Sequence, residues 1–442
     1  MTTMEIAYQR LPLRRFIREI TDGPFGSSLS SSHYTAEGAR VIRLGNVGAA
    51  RFKGEDAAYI SLEHFQDLRQ HEVKPGDLII AGLGDTNHPV GRACVAPSDL
   101  GPAIVKADCF RARLDEEQMS HRYAAWALSS SFVSGQVRTL TRGSTRTRIN
   151  LDVAREIQLP TPRVDEQRRI VDFLDAETAR IDQLGYLRQR QVFQLEERYT
   201  TAISELIIPE ICSANERNRS WPWLPASVSI ARLGYLARVQ SGVTVHGARA
   251  RGHDDTEYPY LRVANVQGEW LDLSEVKTIV IPVAMARRST LRVGDVVMTE
   301  ANGNPDNLGR GAVWNGEISG MIHQNHVFAI RVDEDALVPA YLSALLATVH
   351  GRHYFRFTST QVGIATTSSS KVLDFPVPVR NITQQRMIVS EYERLRGNVE
   401  RVRQTLSRQL SLLSERRQAL ITAAVTGQFD VSAASGRGVD TP

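Results

Sequence analysis

The sequence predicts an α+β protein with two mixed α/β globular domains, separated by two long antiparallel coiled-coil helices and related by an internal pseudo-two-fold repeat. Three observations lead to this prediction. Two long stretches, residues 164–206 and 383–425, combine dense charge with apolar residues at helical spacing. The two stretches align with each other, and so do the strand-rich segments that precede them.

The first long stretch contains no Pro and only one Gly, Gly185. Its apolar residues are mostly separated by sums of three and four, which places them on one face of an amphipathic helix. They are Ile170, Leu174, Ile181, Leu184, Leu195, Ala202 and Leu206. A stretch this polar cannot form a core alone, so we expect its stripe to pack against a partner.

The second long stretch supplies that partner. Val399, Leu406, Leu413 and Leu420 recur at an interval of seven, the spacing of one seam of a coiled coil. An antiparallel pair within one chain predicts a rigid spacer, or ruler, between the globular domains. The alternative is a coiled coil that joins two copies of the chain.

An internal repeat relates the two halves of the chain. Gln167 corresponds to Gln385. The difference between these two residue numbers is called the repeat offset here. Matching residues earlier in the chain are separated by the same offset or by one position more. Matched pairs are Gly76 and Gly294, Gly91 and Gly309, Arg92 and Arg310, Phe110 and Phe328, Arg43 and Arg262, and Asn46 and Asn265. Residues 1–162 are predicted to form the first globular domain, 163–208 the first helix, 209–379 a linker and the second domain, 380–427 the second helix, and 428–442 a flexible tail.

Within the first domain, short apolar runs bounded by turn residues predict strands. These runs are residues 78–80, 93–96 and 102–113, and residues 121–131 resemble a short helix. The Pro pair Pro160 and Pro162 ends regular structure and precedes the first long helix.

Composition limits the class of protein. The net charge is +4 and the pI about 9.0, with Arg far more frequent than Lys, which occurs at five positions only. Arg suits phosphate and guanine, but an Arg-rich genome explains the bias equally well. The three cysteines show no pairing or metal spacing and are expected to be buried. Without a long apolar run or a secretory signal, the sequence indicates a cytoplasmic protein with no membrane association.

Polar loops hold the candidate DNA-binding residues. Arg and Thr alternate from Val137 to Asn150 without an acid, a mixture that suits phosphate contacts, although a solvated loop that touches nothing is the alternative. In the first domain the candidates are Ser27, Ser28, Arg43, Asn46, Asp85, Thr86, Asn87, His88, Arg142, Ser144, Thr145, Arg146 and Arg148. In the second they are Thr244, Arg249, Arg262, Asn265, Asn302, Asn304, Arg356, Thr358, Thr360 and Gln361.

The sequence contains no complete catalytic or metal-binding motif. The sequence has no GxxxxGK[ST] loop, and GLGDTN near Gly82 falls short of GxGxxG. The pairs His323 with His326 and His350 with His353 have possible metal spacing, but no Cys or carboxylate accompanies them. We therefore expect no catalytic residue and no metal site, and structural or DNA-facing histidines.

The order of motifs resembles a known family. DGPFGSS, VIRLGNV and GSTRTRINL, followed by IQLPTPRVDEQRRIVDFLDAETARIDQL, are similar to the specificity subunit of type I restriction-modification enzymes, and SGVT, YLRVANV and FPVPVRNITQQRMIV form a weaker second copy. Gln384 departs from the pattern, since it stands where the first copy has Glu166, and so does Gly185 inside the first helix.

The resemblance implies two target recognition domains that each bind one half of a split double-stranded DNA sequence. It further implies helices that dock two methyltransferase subunits, together with restriction or motor subunits. No cofactor is expected in this chain, and S-adenosylmethionine, ATP and Mg are expected on the partner subunits. The alternatives are a DNA methyltransferase or endonuclease with an unrecognised catalytic site, and a coiled-coil adaptor that binds only protein.

Overall fold

The chain forms two compact units that share both long helices. The computed structural model describes residues 7–85, 88–140, 147–244 and 253–431. The first unit comprises Met1–Arg188 with Arg408–Pro442, and the second comprises Gln189–Ser407. This division differs from the five predicted segments, because part of each helix belongs to each unit.

The first unit contains two four-stranded sheets. One sheet has the strand order β2-β9-β6-β7, the other has the order β3-β5-β4-β8, and β1 pairs with β10. The strands are β1 Arg10–Pro12, β2 Ile17–Asp22, β3 Tyr34–Thr35, β4 Ala39–Ile42, β5 Tyr59–Ile60, β6 Leu78–Ala81, β7 Ala93–Val95, β8 Ala103–Val105, β9 Cys109–Leu114 and β10 Gln158–Pro160. The helices are α1 Leu62–Asp67, α2 His121–Leu128, α3 Ser131–Leu140, α4 Leu151–Glu156 and the long α5 Val164–Ile207.

Two elements of this unit differ from the sequence prediction. The single strand expected over 102–113 is two strands, β8 and β9, because the Cys109 N–H donates to the Lys106 carbonyl (2.8 Å) and closes a turn between them. The helix expected over 121–131 is followed at once by a second helix, α3, so residues 137–140 are helical rather than part of a loop.

The second unit repeats the plan with additions. Its four-stranded sheet has the order β12-β19-β15-β17, beside three-stranded sheets β14-β13-β18 and β16-β21-β20 and the pair β11-β22. The strands are β11 Ile230–Arg232, β12 Ala237–Ser241, β13 Asp255–Leu261, β14 Lys277–Pro282, β15 Val296–Thr299, β16 Ala301–Asn302, β17 Gly311–Val313, β18 Ile322–His323, β19 Val327–Val332, β20 Thr360–Val362, β21 Ile364–Thr366 and β22 Pro376–Pro378. The helices are α6 Val283–Ser289, α7 Pro339–Ala347, α8 Val349–Thr358, α9 Ser369–Leu373 and the long α10 Ile382–Thr426.

Strand register repeats residue by residue between the units. Leu78 lies opposite Ala112 in the first unit, and Val296 lies opposite Ile330 in the second, so both partners move by the same repeat offset. The parallel pair β4 with β8 has its counterpart in β13 with β18. The predicted fold class and the internal repeat are therefore confirmed.

The long helices are antiparallel within each unit. In the first unit Arg417 Nε of α10 donates to Asp182 Oδ1 of α5 (3.0 Å), and Phe429 beyond α10 packs edge-on against Phe173. In the second unit Arg403 Nη2 donates to Glu196 Oε1 (2.7 Å). Residue numbers therefore rise along one helix in the direction in which they fall along the other.

The predicted apolar stripe of α5 is partly wrong. Ile170, Leu174 and Ile181 are buried, but Leu184 is 48% exposed and Ala202 is also exposed. The face of α5 that is buried therefore does not include every position of the predicted stripe. On α10 the seam of seven holds better, since Leu406 is buried and Val399, Leu413 and Leu420 are half-buried.

A buried glutamine fixes the start of each long helix to the globular part of its unit. Gln167 is fully buried; its Oε1 accepts the Ser120 N–H (2.9 Å) and its Nε2 donates to the carbonyls of Gln118 (2.9 Å) and Pro162 (3.0 Å). Three backbone groups, one buried and two partly buried, thus depend on one side chain.

Gln385 makes the same three bonds in the second unit. Its Oε1 accepts the Val338 N–H (2.8 Å), and its Nε2 donates to the carbonyls of Ala336 and Arg380 (both 2.9 Å). All three partners are related to those of Gln167 by the repeat offset. The glutamine shared by the two copies is therefore an anchor for the helix start.

The far ends of the helices are anchored by hydroxyl groups. Ser204 of α5 accepts the Val349 N–H (2.9 Å) in the second unit, and Thr422 of α10 accepts the Ser131 N–H (3.1 Å) in the first. In the second unit Glu269 also accepts a hydrogen bond from the hydroxyl group of Tyr199 on α5 (2.5 Å). Each helix is therefore held in one unit at its start and in the other at its end.

The cysteine prediction holds for two of three residues. Cys94 and Cys109 are fully buried, and burial raises the pKa of each thiol to about 12, so both are inert. Cys212 is exposed, because it follows α5 in the linker rather than lying in a sheet, and the expectation of burial was wrong there.

No helix in the described part of the chain has both the length and the apolar content needed to cross a membrane.

His350 is a buried neutral histidine in the second unit. Its Nδ1 accepts the Trp223 Nε1–H (2.9 Å), its Nε2 lies 2.7 Å from the Pro376 carbonyl oxygen, and its ring stacks on Phe375 at a centroid distance of 4.9 Å. Burial lowers the pKa of His350 to about 4. A proton on Nδ1 would remove the acceptor that Trp223 needs.

We expect Gln385→Leu to lower the free energy of unfolding by about 1–3 kcal/mol, because it leaves a partly buried N–H and two partly buried carbonyls without partners. Chemical denaturation measures the change. The exposed neighbour Gln384→Leu is the matched control and should cost under about 1 kcal/mol. Equal effects of the two substitutions would contradict the anchor.

We expect acid to weaken the fold of the second unit through His350. Because its pKa is 6.5 when unfolded and about 4 when folded, the unfolded chain binds the proton first, so stability is lost as the pH falls from 6.5 towards 4, by about 3 kcal/mol in total. Denaturation at pH 7 and pH 5, followed by tryptophan fluorescence, tests this. In His350→Gln the pH dependence should shrink, and an unchanged dependence would refute the assignment.

Candidate nucleic-acid interface

Arg92 joins the loops of the first unit that carry candidate residues. This buried guanidinium donates from Nε to the Val47 carbonyl (2.8 Å), from Nη2 to Leu44 (3.0 Å), and from Nη1 to Leu83 (3.3 Å) and Pro89 (3.1 Å). Burial lowers the pKa of Arg92, and the carbonyl oxygens replace the lost water. The turn after β4 and the loop after β6 are thereby held together.

The Arg/Thr loop returns to the same place. Leu83 pairs with Arg148 in an isolated antiparallel bridge, and the Gly84 N–H donates to the Thr147 carbonyl (3.0 Å). Arg148 is exposed, forms an ion pair with Asp108 (2.9 Å) and lies 6.0 Å from the ring centre of Phe25. Since a guanidinium has five donors, one carboxylate orients it without exhausting it.

Other candidates of the first unit lie on this exposed surface. Asp85 and His88 are exposed and lie 3.1 Å apart, between Asp85 Oδ1 and His88 Nδ1. Ser27 and Ser28 are exposed on a short 3-10 helix, and the Ser28 carbonyl oxygen lies 3.0 Å from His64 Nε2. The structure therefore places these four predicted residues where a ligand can reach them.

Asn46 is not available to a ligand, contrary to the prediction. It is fully buried, where its Oδ1 accepts the Arg43 N–H (2.9 Å) and its Nδ2 donates to the carbonyls of Lys53 (2.9 Å) and Asp56 (2.8 Å). The side chain shapes the turn instead of facing outward. Arg43 itself is half-buried and paired with the Asp56 carboxylate.

Asn265 repeats the structural role of Asn46 in the second unit, and its predicted DNA contact is wrong for the same reason. It is 3% exposed, accepts the Arg262 N–H (2.9 Å) and donates to the carbonyls of Asp272 (2.8 Å) and Glu275 (3.0 Å). The Arg-x-x-Asn motif is thus present in both copies because both contain the same turn. Arg262 lies 3.3 Å from the Glu275 carboxylate.

A small sheet in the second unit contains the candidates Asn302, Thr360 and Gln361. Thr366 of β21 lies opposite both Ala301 of β16 and Thr360 of β20, and Thr360 is exposed. The repeat offset relates the pairing of Ala301 with Thr366 to that of Leu83 with Arg148. Corresponding loops therefore meet at corresponding places, but with different side chains.

Asn302 and Asn304 shape the loop beside this sheet. Asn302 Oδ1 accepts the Asn304 N–H (3.0 Å), and Asn304 Oδ1 accepts the Asp306 N–H (3.0 Å) at the start of a 3-10 turn. Arg356 of α8 is exposed and its Nη1 lies 3.1 Å from Asp306 Oδ1. The Thr358 hydroxyl donates to the carbonyl of Tyr354 in its own helix (2.8 Å) and so serves that helix.

Several candidates are untested by the geometry. Thr244 is exposed at the last described position before a gap. Outside the described residues lie Thr86, Asn87, Arg142, Ser144, Thr145, Arg146 and Arg249, and of Gln361 only the backbone is described.

Three apolar side chains on these surfaces were missed by the sequence reasoning. Phe25 is 51% exposed beside Arg148, and Phe357 and Ile364 are 73% and 59% exposed next to Arg356 and Thr360. Phe25 was detectable, since an aromatic residue inside a Gly/Ser-rich turn has little chance of burial. Such residues can contact thymine methyl groups or the faces of bases.

The histidine pairs serve the fold or the surface separately. His323 is fully buried, with Nδ1 2.6 Å from the Val327 carbonyl, whereas His326 is exposed and 3.5 Å from Glu300. His350 binds Trp223 as described above. Across the described residues no group of three or more His, Cys, Asp or Glu side chains could hold a metal ion.

Comparison with known proteins agrees with this architecture. No protein-family model matches the chain. It is 22% identical over 397 residues to the type I restriction enzyme StySPI specificity subunit of Salmonella potsdam, covering 88% of this chain and 82% of that protein. It is also 22% identical over 424 residues to the EcoBI specificity subunit of Escherichia coli, covering 93% and 84%.

A solved structure has the same fold. A chain from a study of complex assembly and conformational transition of the type I restriction-modification system superimposes with a TM-score of 0.66 at 17% identity, covering 96% of this chain and 98% of that one.

The fold and its two loop surfaces define a duplicated scaffold, in which one framework carries two sets of polar loops. The chain is a homologue of the type I restriction enzyme specificity subunits, and the resemblance seen in its sequence is confirmed. The curated relatives that it matches along most of its length are specificity subunits.

Proposed function

We propose that this chain recognises a bipartite double-stranded DNA sequence, with one half bound by each unit. The observation that carries the proposal is the pair of equivalent strand contacts, Leu83 with Arg148 and Ala301 with Thr366, which present different side chains from one scaffold. Different donors at equivalent places are what two readers of different sequences require.

The guanidinium groups suit this role. Arg148 and Arg356 are both exposed, and each forms an ion pair with an aspartate, Asp108 or Asp306. An exposed ion pair contributes at most about 1 kcal/mol, so exchanging the aspartate for a phosphate or a guanine edge costs little. The nearby apolar groups Phe25 and Ile364 add contacts that exclude water.

The long helices are proposed to set the spacing of the half-sites and to dock the partner subunits. Along α5 the large apolar side chains Leu184, Tyr186, Leu187 and Phe193 are exposed, although they lie on a helix otherwise rich in charge. Such groups favour burial against another protein. In this proposal two methyltransferase subunits and the restriction subunits bring S-adenosylmethionine, ATP and Mg, and this chain supplies recognition.

We expect Arg148→Ala and Arg356→Ala each to impair recognition of a different half of the target. Each should weaken binding by about 1–3 kcal/mol and relax sequence preference in its own half only. Methylated sites in the host genome identify the target, and anisotropy with duplexes altered in either half measures the effect on the assembled complex. Arg288→Ala, exposed on α6, is the control. Loss in the same half for both variants would refute one reader per unit.

We expect a matched deletion of residues 186–192 and 407–413 to shorten the target spacer by about three base pairs. Seven residues of helix correspond to about 10 Å, and one base pair to about 3.4 Å. The deletion leaves intact the ion pairs of Asp182 with Arg417 and Glu196 with Arg403. Replacing the same residues by Ala keeps helix length and should keep the spacing. Unchanged spacing in a folded deletion variant would exclude the ruler.

A further inference from the structure

A cavity of about 180 Å³ lies in the second unit, beside the paired helices. Its charged lining comes from four elements: Glu196 from α5, Arg403 from α10, Arg352 from α8, and Asp306 and Arg310 from the loop before β17. Trp270, which is 54% exposed, forms part of the wall. The cavity is therefore built from side chains far apart in the sequence.

Its carboxylates already have partners. Glu196 Oε1 accepts two hydrogen bonds from Arg403, at 2.9 Å from Nε and 2.7 Å from Nη2. Asp306 is 3.1 Å from Arg356, which lies outside the cavity lining. Neither carboxylate forms an ion pair with Arg310 or Arg352, the two other arginines of the lining.

The side chains of Arg310 and Arg352 are both exposed and line the cavity. Among the described residues, no carboxylate lies within ion-pair distance of either one. The pKa of Arg310 is lowered, first because the group is partly withdrawn from water and next because Arg352 is nearby, while the carboxylates of Asp306 and Glu196 act in the opposite direction. Two neighbouring cations that repel each other are stabilised by an anion between them.

The other half of the chain shows that the scaffold does not require this arrangement. Arg92 is the counterpart of Arg310, and its donors are consumed by the carbonyls of Val47, Leu44 and other loop residues. Arg310 makes no such bonds in the described structure and faces the cavity instead.

The remaining charged positions are also particular to the second unit. At the repeat offset, Arg352, Arg403 and Glu196 of the second unit correspond to three uncharged residues of the first. These uncharged residues are Ser134, Gly185 and Ser414, in that order. A charged cavity that only one repeat possesses is not explained by the shared fold.

We propose that this cavity binds a phosphate group between the guanidinium groups of Arg310 and Arg352. Planar guanidinium forks match the oxygen geometry of phosphate and bind it with charge-assisted hydrogen bonds. The volume of about 180 Å³ exceeds the roughly 10–15 Å³ that one water requires by the same measure, so a small anionic group fits.

The phosphate can belong to a free phosphate compound or to the DNA backbone. Only a phosphate of the DNA backbone would depend on the proposed function. That source is considered because Asp306, which lines the cavity, also forms an ion pair with Arg356 of the candidate interface. The site itself is defined by Arg310 and Arg352 and stands without DNA.

Titration of the full-length chain with inorganic phosphate, at constant ionic strength, tests the site by calorimetry and tryptophan fluorescence. Saturable binding is expected, weakened at least tenfold in Arg310→Gln and in Arg352→Gln. Arg287→Gln, which removes an exposed charge on α6, should leave the affinity unchanged. In Trp270→Phe the fluorescence change should disappear while calorimetry still detects phosphate. Circular dichroism and thermal unfolding verify that each variant is folded.

A salt series distinguishes the two sources. If the group is a DNA phosphate, Arg310→Gln should reduce the slope of log affinity against log salt by about one in the assembled complex. A lost phosphate titration with an unchanged slope assigns the site to a free phosphate compound. Absence of saturable phosphate binding, or equal binding by Arg310→Gln and Arg287→Gln, overturns the proposal. If the chain binds phosphate but not DNA, the proposed function is contradicted and this phosphate site is supported.

Discussion

The structure depends on the anchoring of each long helix in two different cores. A helix as polar as α5 gains most of its stability from packing rather than from its own hydrogen bonds. Ile170 and Leu174 are buried in the core of the first unit, whereas Ile203 and Ile207 are buried in that of the second. The helix that starts in one core therefore cannot fold to its full length without the other.

Polar side chains fix the register of that packing. Apolar stripes tolerate sliding, but Gln167 and Gln385 each bind three backbone groups that are at least partly buried, and a shift by one residue would break these bonds. Ser204 and Thr422 do the same at the far ends. Hydrophobic burial thus supplies most of the free energy of packing. Gln167 and Ser204 fix the position of α5, and Gln385 and Thr422 fix the position of α10.

Duplication separates what is constant from what varies. Sheet register and anchors recur at one offset, so a substitution in a loop leaves the framework unchanged. Arg92 and Arg310 show the result most clearly: one guanidinium is consumed in joining loops, and its counterpart faces a cavity. In the same way Arg148 and Thr366 occupy equivalent strand positions with different chemistry. A chain built in this way can therefore change its loop surfaces without changing its fold.

The sequence by itself determined the two long helices, the duplication, the strands near 78–80 and 93–96, and the exposure of Arg148 and Arg356. These features follow from local periodicity, from turn residues and from one constant offset, all of which are readable along the chain. Only the tertiary structure decided that Asn46 and Asn265 are buried in turns, that Leu184 is exposed, and that Arg310 faces a cavity formed with Arg352. The physical reason is that burial and charge compensation depend on elements distant in sequence, which meet only when the chain is folded.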